Sequence, residues 1–486
     1  MLRYIVLFWC LMFTALLQAQ TLNDAIRYSN YDIGGTARAV SVGGSLGALG
    51  ADFSVLSTNP AGLAQYRSSQ FMLTPSLFFS ETSSQLRNAT SDMIVDNKTN
   101  FNLNNLGFVL HSKPRGVRWK TFNIGIGFNR LANFNQQFLY RGTGQGSIVD
   151  RWVQEANTFG LTAFEAGPAF DALAIYEDNS GRFTSDFELA PNADIAIEQE
   201  FRSSGSMNEL VLSLAGNYNE KLLLGATIGV PFISYDEKKI YRENNIDSIP
   251  FFNELIFEEN LTTSGVGINL KLGMIYRFNQ TVRVGLAIHT PTAFGLTDNF
   301  NTSIIYDFTD ASGNSRLEGL SPEGNFEYRF RTPWRIIGSA GFLIKKRGFI
   351  SAEVEWVDYT ANNFNLTANS SDPGDRFAEE QINGDIDNFL ASRLNIRLGG
   401  EYALKQFRFR AGYIINGAPF EDDSANNNAL SFGLGLQERS FYIDLAYRLR
   451  QSEEIYVPYQ FDGGAGQVVD NEVTTQHFLM TVGFRF

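Results

Sequence analysis

The side chains that most often do chemistry in proteins are few in this chain and far apart. Its three histidines, His111, His289 and His477, lie in separate stretches, so none makes a pair with metal-ligand spacing. The only cysteine, Cys10, has no second thiol with which to form a disulfide or a metal site. No Asp-rich calcium loop occurs either. We therefore predict that the chain is not an enzyme and that it has no metal site and no cofactor.

Charged residues with a regular spacing are the second chemical feature. Between residues 324 and 345 they alternate with aromatic residues, and similar charges recur in 348–360, 391–404 and 406–417. Successive side chains of a strand point to opposite faces, so these charges share the face opposite the aromatic residues. We interpret that face as the lumen of a barrel, where the charges either brace the wall as ion pairs or attract an anionic head group. The residues are Glu327, Arg329, Arg331, Arg335, Glu353, Glu355, Arg393, Arg397, Glu401, Arg408 and Arg410.

The elements that position these charges are β-strands. Every second residue is large and apolar from Phe441 to Leu449, and again from Phe478 to Phe486. Connections between such segments are alternately short and long, which is typical of the two ends of a transmembrane barrel. We therefore predict an all-β fold: a transmembrane antiparallel β-barrel of about 14 strands in residues 69–486. The strands are expected near 70–82, 101–113, 118–131, 206–218, 221–235, 262–278, 281–296, 324–345, 348–360, 391–404, 406–417, 428–437, 440–451 and 475–486.

The composition supports this fold class and excludes two others. After the N-terminus no apolar run of about 20 residues occurs, which excludes a helical membrane protein. The 42 Phe and 19 Tyr suit the lipid face and the interface girdles of a barrel. The net charge of −13 argues against a nucleic-acid partner, since such proteins carry a basic footprint.

The N-terminal residues divide into two segments. Residues 1–19 are predicted to be a signal peptide, with Arg3 as its positive region, an apolar stretch from Tyr4 to Leu17, and cleavage after Ala19. Residues 20–68 do not alternate and are rich in small side chains, which can pack tightly in a confined space such as a lumen. A secreted barrel is expected in a bacterial outer membrane.

The segment from Ala37 to Leu63 resembles the N-terminal hatch of the FadL/OmpP1/TodX outer-membrane transporters, in a Bacteroidetes-type variant. The likeness rests on Ala37-Arg38-Ala39, Gly43-Gly44 and Asn59-Pro60-Ala61-Gly62-Leu63, and extends to Thr332-Pro333-Trp334-Arg335 and the aromatic C-terminus. It implies a fourteen-stranded barrel whose lumen is plugged by 20–68. It also implies passive uptake of long-chain fatty acids or other hydrophobic molecules. Hatch residues Asn59, Pro60, Ala61 and Gly62 would then lie beside the ligand pathway.

In that family a kink in the third strand lets the ligand leave sideways into the bilayer. Here the kink would lie within 125–133, and the candidates for this lateral gate are Gly127, Asn129 and Asn133, which are poor strand formers. The outer loop, about 132–205, is longer than in better-known members. Residues 149–176 within it are expected to form helices that either capture the ligand or close the barrel mouth.

The implied partners are hydrophobic small molecules or lipids, outer-membrane lipids, and the outer-membrane assembly machinery, which would read the aromatic C-terminus. One alternative function is a PorV-like partner in type IX secretion, where the loops would contact a secretion translocon. Another is a structural or adhesive barrel.

Overall fold

A computed structural model describes residues 21–486 apart from 33, 88, 117, 248, 312, 346, 422–426 and 462–463. The predicted signal peptide therefore lies outside the described residues. Within them, fourteen wall strands pair antiparallel in chain order, and the last pairs with the first. The sheet thus closes on itself, and the prediction of a fourteen-stranded antiparallel barrel is confirmed.

The strands of the wall are β1 (Gln70–Leu86), β2 (Ile94–Ser112), β3 (Trp119–Asn133), β4 (Asp194–Tyr218), β5 (Leu222–Asn245), β6 (Phe252–Arg277), β7 (Val282–His289 and Ala293–Asp310), β8 (Gly324–Arg331 and Arg335–Leu343), β9 (Gly348–Asp358), β10 (Ser392–Leu404), β11 (Phe407–Asn416), β12 (Asn427–Gln437), β13 (Phe441–Tyr456) and β14 (Val469–Arg485). β7 and β8 are each in two parts because Pro291 and Pro333 lack the N–H that a ladder needs. The shorter strands are Gln136–Gln145, Tyr176–Glu177, Phe183–Thr184, Gly313–Leu320, Asn363–Asn365, Gln460–Phe461 and Gly464–Ala465.

Within the part of the chain that the structure describes, five α-helices lie in the hatch and in the loops. They are α1 (Leu22–Ser29), α2 (Ala37–Ser41), α3 (Ile148–Phe159), α4 (Ala166–Asp171) and α5 (Pro373–Phe389). The 3-10 turns are Phe53–Ser57, Pro60–Gln65, Asp186–Leu189, Tyr359–Ala361 and Leu366–Ala368. No helix in the described part of the chain is long and apolar enough to cross a membrane.

An apolar belt surrounds the outer surface of the barrel. On β6 the outward side chains from Val266 to Tyr276 are all apolar and exposed, whereas those from Glu254 to Ser264 are mostly polar. Ten residue steps of about 3.3 Å, tilted near 40°, rise about 25 Å, which matches the apolar band of an outer membrane. The belt and the closed wall place this chain in a bacterial outer membrane.

A charge placed in the belt is expected to weaken the barrel. Leu445 is 47 % exposed on the outer face of β13, so Leu445→Arg should lower the free energy of unfolding by about 2–4 kcal/mol. Glu453→Arg on the same face of β13 is the control, because Glu453 lies beyond the belt, opposite Glu472. Urea unfolding in lipid vesicles measures both variants, and equal stabilities would contradict the assignment of the belt.

The barrel wall extends beyond the membrane on one side. β4, β5 and β6 have 25, 24 and 26 residues, and Gln136–Gln145 pairs with the upper part of β4. The outer loop is therefore shorter than the predicted 132–205, and residues 146–193 form what we call the outer lobe. Its helix α3 packs inward through Trp152, whose ring lies 5.3 Å from that of Phe257. The sequence pattern predicts loop for 136–145 and 194–205 because their outward residues are mostly polar and lack the apolar alternation of a lipid-facing strand.

The hatch runs inside the barrel from residue 21 to Tyr66. α1 lies in the outer half of the lumen, where the Tyr28 ring meets Phe330 edge-on at 5.8 Å. Farther along, the backbone comes so close to the wall that a Cβ on Gly412 would lie 2.2 Å from the amide nitrogen of Gly43. Small residues on both sides make this packing possible.

Candidate functional site: the hatch and a seam in the wall

In the described part of the wall, β2 and β3 are neighbours that backbone hydrogen bonds join over only part of their length. β2 pairs with β3 from Ser112–Phe122 only as far as Asn105–Asn129. Beyond that rung, 94–104 pair with β1 alone, while Gln136–Gln145 pairs with β4. An isolated bridge between Thr90 and Thr143 closes the outer end. We call the unpaired stretch between 94–104 and 130–142 the lateral seam.

The lateral seam is crossed by side chains rather than by a ladder. Lys98 donates from Nζ to the carbonyl oxygen of Ser203 at 2.6 Å. Gln137 donates from Nε2 to Oδ2 of Asp96 at 3.0 Å. Each contact includes a charged group and contributes about 1.5–3 kcal/mol, and each breaks without disturbing a ladder. Separating the two edges of the lateral seam would therefore break no ladder hydrogen bond between β2 and β3.

The hatch covers the lateral seam from the lumen side. The amide of Asp32 donates to the carbonyl oxygen of Leu131 at 2.8 Å, and Asn104 donates from Nδ2 to the carbonyl oxygen of Gly35 at 3.3 Å. A Cβ on Gly34 would lie 1.8 Å from the carbonyl oxygen of Arg130. One stretch of the hatch therefore touches both edges of the seam.

The three residues predicted as a lateral gate lie at different points of β3. Gly127 is in the paired part, where a Cβ would lie 2.6 Å from the ring of Phe53. Asn129 is in the last rung, where it accepts from Asn105 at 2.8 Å and donates to Oγ of Ser57 at 2.9 Å. The register shift falls between Arg130 and Ala132, and Asn133 ends the strand by accepting from the amide of Asn135. Their role as a gate stays a prediction.

The motif Asn59-Pro60-Ala61-Gly62 packs against the wall at β5–β7 and does not reach the lateral seam. Asn59 is buried and donates from Nδ2 to the carbonyl oxygens of Gly47 at 2.8 Å and Met274 at 3.3 Å. Two paired glycines provide the space: a Cβ on Gly273 would lie 2.1 Å from Oδ1 of Asn59, and one on Gly225 would lie 2.4 Å from the carbonyl oxygen of Pro60. The motif therefore anchors the hatch, and its predicted place beside the pathway stays a prediction.

Most of the predicted lumen charges form buried ion pairs that also hold the hatch. Arg397 bonds Glu353 at 2.9 Å and Glu355 at 2.5 Å, and Arg335 bonds Glu355 at 2.7 Å. Oε2 of Glu353 accepts from the amide of Gly47 at 3.1 Å. A second group joins Arg410 to Glu401 and Asp444, both at 2.7 Å. For these residues the structure favours bracing over attraction of a head group.

The prediction that Arg329 and Arg331 face the lumen is wrong. On this part of β8 it is Tyr328 and Phe330 that are buried against the hatch, and the arginines are exposed on the outer surface. The break at Pro333 shifts the alternation, so that the inward positions change from Phe330 to Arg335 without a regular two-residue step.

Two other predicted lumen arginines lie at the ends of the barrel. Arg393 donates to loop carbonyl oxygens of Ala418 at 2.5 Å and Phe420 at 2.6 Å near the outer mouth. Arg408 donates to the carbonyl oxygens of Lys405 and Phe407, both at 2.8 Å, near the opposite end. Nε of Arg408 lies 3.9 Å from Oε1 of Glu401, at the edge of the second ion-pair group, whereas Arg393 has no carboxylate within 4 Å among the described residues.

A cationic cluster lies beside the lateral seam, and no pattern in the sequence predicts it. Arg448 pairs with Asp32 of the hatch, and Arg450 follows on the same inward face of β13. Among the described residues the Nε atoms of Arg130 and Arg450 are buried without a hydrogen-bond partner, as are both ring nitrogens of His477. His477 is 5 % exposed and stands opposite Arg448 on β14. These donors meet only after the barrel closes, which no local pattern reveals.

The outer lobe contains a half-buried acid whose ionisation is expected to loosen it. Glu165, at the start of α4, is 2.5 Å from Arg151, and burial outweighs this attraction and raises the pKa of Glu165 to about 7. A raised pKa favours the protonated form in the folded lobe, so the contribution to stability is present below about pH 4.5 and is lost as pH rises through 7. Hydrogen exchange of 148–171, corrected for intrinsic rates, should be faster at pH 8 than at pH 5. Glu165→Gln should reduce that difference; an unchanged pH profile would contradict the account.

Solved structures of known function share this architecture. A FadL homologue from Pseudomonas aeruginosa matches with a TM-score of 0.56 and 13% identity, over 94% of this chain and 100% of that chain. The toluene transporter TodX of Pseudomonas putida gives 0.52 and 12% over 94% and 100%. The toluene transporter TbuX of Ralstonia pickettii gives 0.51 and 14% over 93% and 99%. No protein-family model matches the sequence, and no curated protein matches it. The chain therefore has the fold of the FadL-type outer-membrane barrels.

Proposed function

We propose that this chain is a passive outer-membrane channel for hydrophobic molecules with an acidic head group, of which long-chain fatty acids are the class we favour. The observation that supports it is the lateral seam, a part of the wall without ladder hydrogen bonds that is covered on the inside by the hatch. An exit into the aqueous periplasm would expose the apolar surface of a hydrophobic molecule to water, which is unfavourable. A side opening releases the molecule directly into the bilayer.

An apolar path supports entry from outside. One contiguous cluster of buried side chains begins at Ile382 and Ile386 of α5, includes Phe330, and ends at Leu131 and Ala132 of the lateral seam. α1 occupies this cluster through Ala25 and Tyr28, so the proposed ligand takes its place when the hatch moves. In this proposal α1 moves, while the motif Asn59 to Gly62 stays bound to the wall.

The cationic cluster supports an acidic head group. Guanidinium groups bind carboxylates through paired charge-assisted hydrogen bonds, which are about twice as strong as neutral ones. Arg130 and Arg450 offer such donors at the inner edge of the lateral seam, with His477 beside them. A head group held there would leave its chain directed at the seam.

Removing these donors tests the proposal. In vesicles containing the purified protein, Arg130→Gln with Arg450→Gln should lower oleate uptake about tenfold or more, since each charge-assisted bond contributes about 1.5–3 kcal/mol. Uptake of toluene, which has no charge, should change little. The control is Arg329→Gln with Arg331→Gln, two exposed arginines on the outer surface of β8.

Two outcomes would contradict the proposal. Equal oleate uptake by the double variant and the wild type would show that the cationic cluster is not a head-group site. Oleate uptake by the wild type no faster than in empty vesicles would show that the protein is not a channel for it. A partner of a secretion translocon would give that second result, together with translocon proteins in a pull-down from native membranes.

A further inference from the structure

Exposed cations surround the short-turn end of the barrel. Five of its six turns carry at least one, and the sixth carries the half-buried Arg277 and Arg283 on its flanks. Among the described residues, the acids of the short turns are Glu220 and Glu438, and Glu401 is half-buried beside Arg408. We call the exposed cations the basic rim; they are Arg67, Lys113, Arg115, Arg118, Lys221, Lys345, Arg347, Lys405 and Arg439.

The basic rim is not neutralised within the chain. Arg67 pairs with Glu220 at 3.0 Å, and Glu220 is shared with Arg277 at 2.8 Å. Among the described residues, no other member of the rim has a carboxylate within 4 Å. Like charges repel one another, so an external anion bound at the rim would stabilise it.

The rim lies at the height of lipid head groups. Exposed aromatic side chains stand directly beside it on several strands, among them Trp119, Tyr402 and Phe407. Aromatic side chains form girdles at both interfaces of a barrel, where the apolar core meets the head groups. A cation one or two residues farther along the chain therefore projects into the head-group layer.

The two ends of the molecule have opposite charge. The chain as a whole carries −13, and its acids are concentrated on the long-loop side. α5 alone contains Asp375, Glu379, Glu380, Asp385 and Asp387 against one arginine, Arg376. The basic rim is therefore a property of one end, and short turns identify that end as periplasmic.

We propose that the basic rim binds the head groups of anionic phospholipids in the periplasmic leaflet of the outer membrane. Lysine and arginine bind phosphate groups well. The cations are distributed around the whole circumference, which fits a ring of lipids and not a protein that docks on one side. This interaction would fix the depth of the barrel in the membrane whatever ligand it carries.

Spin-labelled lipids test the proposal on the full chain in vesicles of phosphatidylethanolamine. Phosphatidylglycerol should be preferred to phosphatidylethanolamine beside the wild type by about threefold or more at low salt, and less at 0.5 M salt, where charges are screened. The rim variant is Lys113→Glu, Arg115→Glu, Lys405→Glu and Arg439→Glu. The control reverses four exposed cations at the outer end: Arg141→Glu, Arg202→Glu, Arg316→Glu and Arg376→Glu.

The rim variant should lose the preference and the outer control should keep it. Equal binding of both lipids by the wild type, or a preference that the rim variant retains, would overturn the proposal. Loss of a co-purified acidic periplasmic protein with no change in lipid preference would also overturn it. Circular dichroism shows whether the rim variant folds. If the variant does not fold, the proposal is tested by the wild type alone, whose preference for phosphatidylglycerol must fall as salt is raised.

Discussion

A disulfide between the hatch and the wall is expected to reduce uptake to background. The hydroxyl oxygens of Ser45 in the hatch and Ser351 in β9 are 2.8 Å apart, so Ser45→Cys with Ser351→Cys places two thiols in contact. In a Cys10→Ser background no other thiol is present. Because the ligand must displace the hatch, oxidation should stop oleate uptake and reduction should restore it.

A matched disulfide within the wall provides the control. Thr74 in β1 and Thr481 in β14 also have hydroxyl oxygens 2.8 Å apart. Thr74→Cys with Thr481→Cys joins two wall strands and does not tether the hatch. It removes the hydroxyl that accepts from the amide of Ala37 in both redox states, so uptake should not depend on its redox state. If the oxidised hatch disulfide transports as fast as the reduced form, the hatch does not have to move and the proposed route is wrong.

A valine in place of Gly273, which packs against the motif Asn59 to Gly62, is expected to open the lumen to ions. A Cβ at Gly273 would lie 2.1 Å from Oδ1 of Asn59 and 2.9 Å from Cδ of Pro60, and valine adds two methyl groups to it. Gly273→Val should displace the anchor at a cost of about 1–3 kcal/mol or more. In planar bilayers the wild type, whose lumen is filled, should conduct few ions, and the variant should show frequent channel openings.

Gly338→Val is the control for that experiment. Gly338 faces outward, with no atom within 4 Å of an added Cβ. Its conductance should equal that of the wild type. A silent Gly273→Val protein with normal uptake would show that the motif Asn59 to Gly62 is not what seats the hatch.

Short-range pattern was enough to predict the barrel. Phe478, Met480 and Phe484 face outward, as the alternation of apolar and polar residues predicts. This alternation can be recognised within one strand, without knowledge of its neighbours. The pattern failed where the strand is broken. At Pro333 the alternation loses its phase, and Arg329 and Arg331 were therefore assigned to the wrong face.

The candidate site was less accessible from sequence because it depends on register between distant strands. Arg130 and His477 are 347 positions apart, and they approach only because β14 closes on β1 and the hatch brings Asp32 to the lateral seam. The end of the β2–β3 ladder at Asn105 is likewise a property of two strands together. The asparagine and glycine residues of β3 predict a weak strand. They do not predict which backbone hydrogen bonds between β2 and β3 are absent.

The central claim is that hydrophobic molecules leave through the lateral seam, and photolabelling during transport tests it most directly. A fatty acid with a diazirine in its chain would be added to vesicles, illuminated during uptake, and its sites of attachment mapped by mass spectrometry. We expect strong labelling at Phe101, Leu103 and Leu131, above the level at Leu270 and Leu272 on the outer face of β6. Equal labelling of both sets, or labelling near Tyr66 and Arg67 at the periplasmic end of the hatch, would contradict a sideways exit.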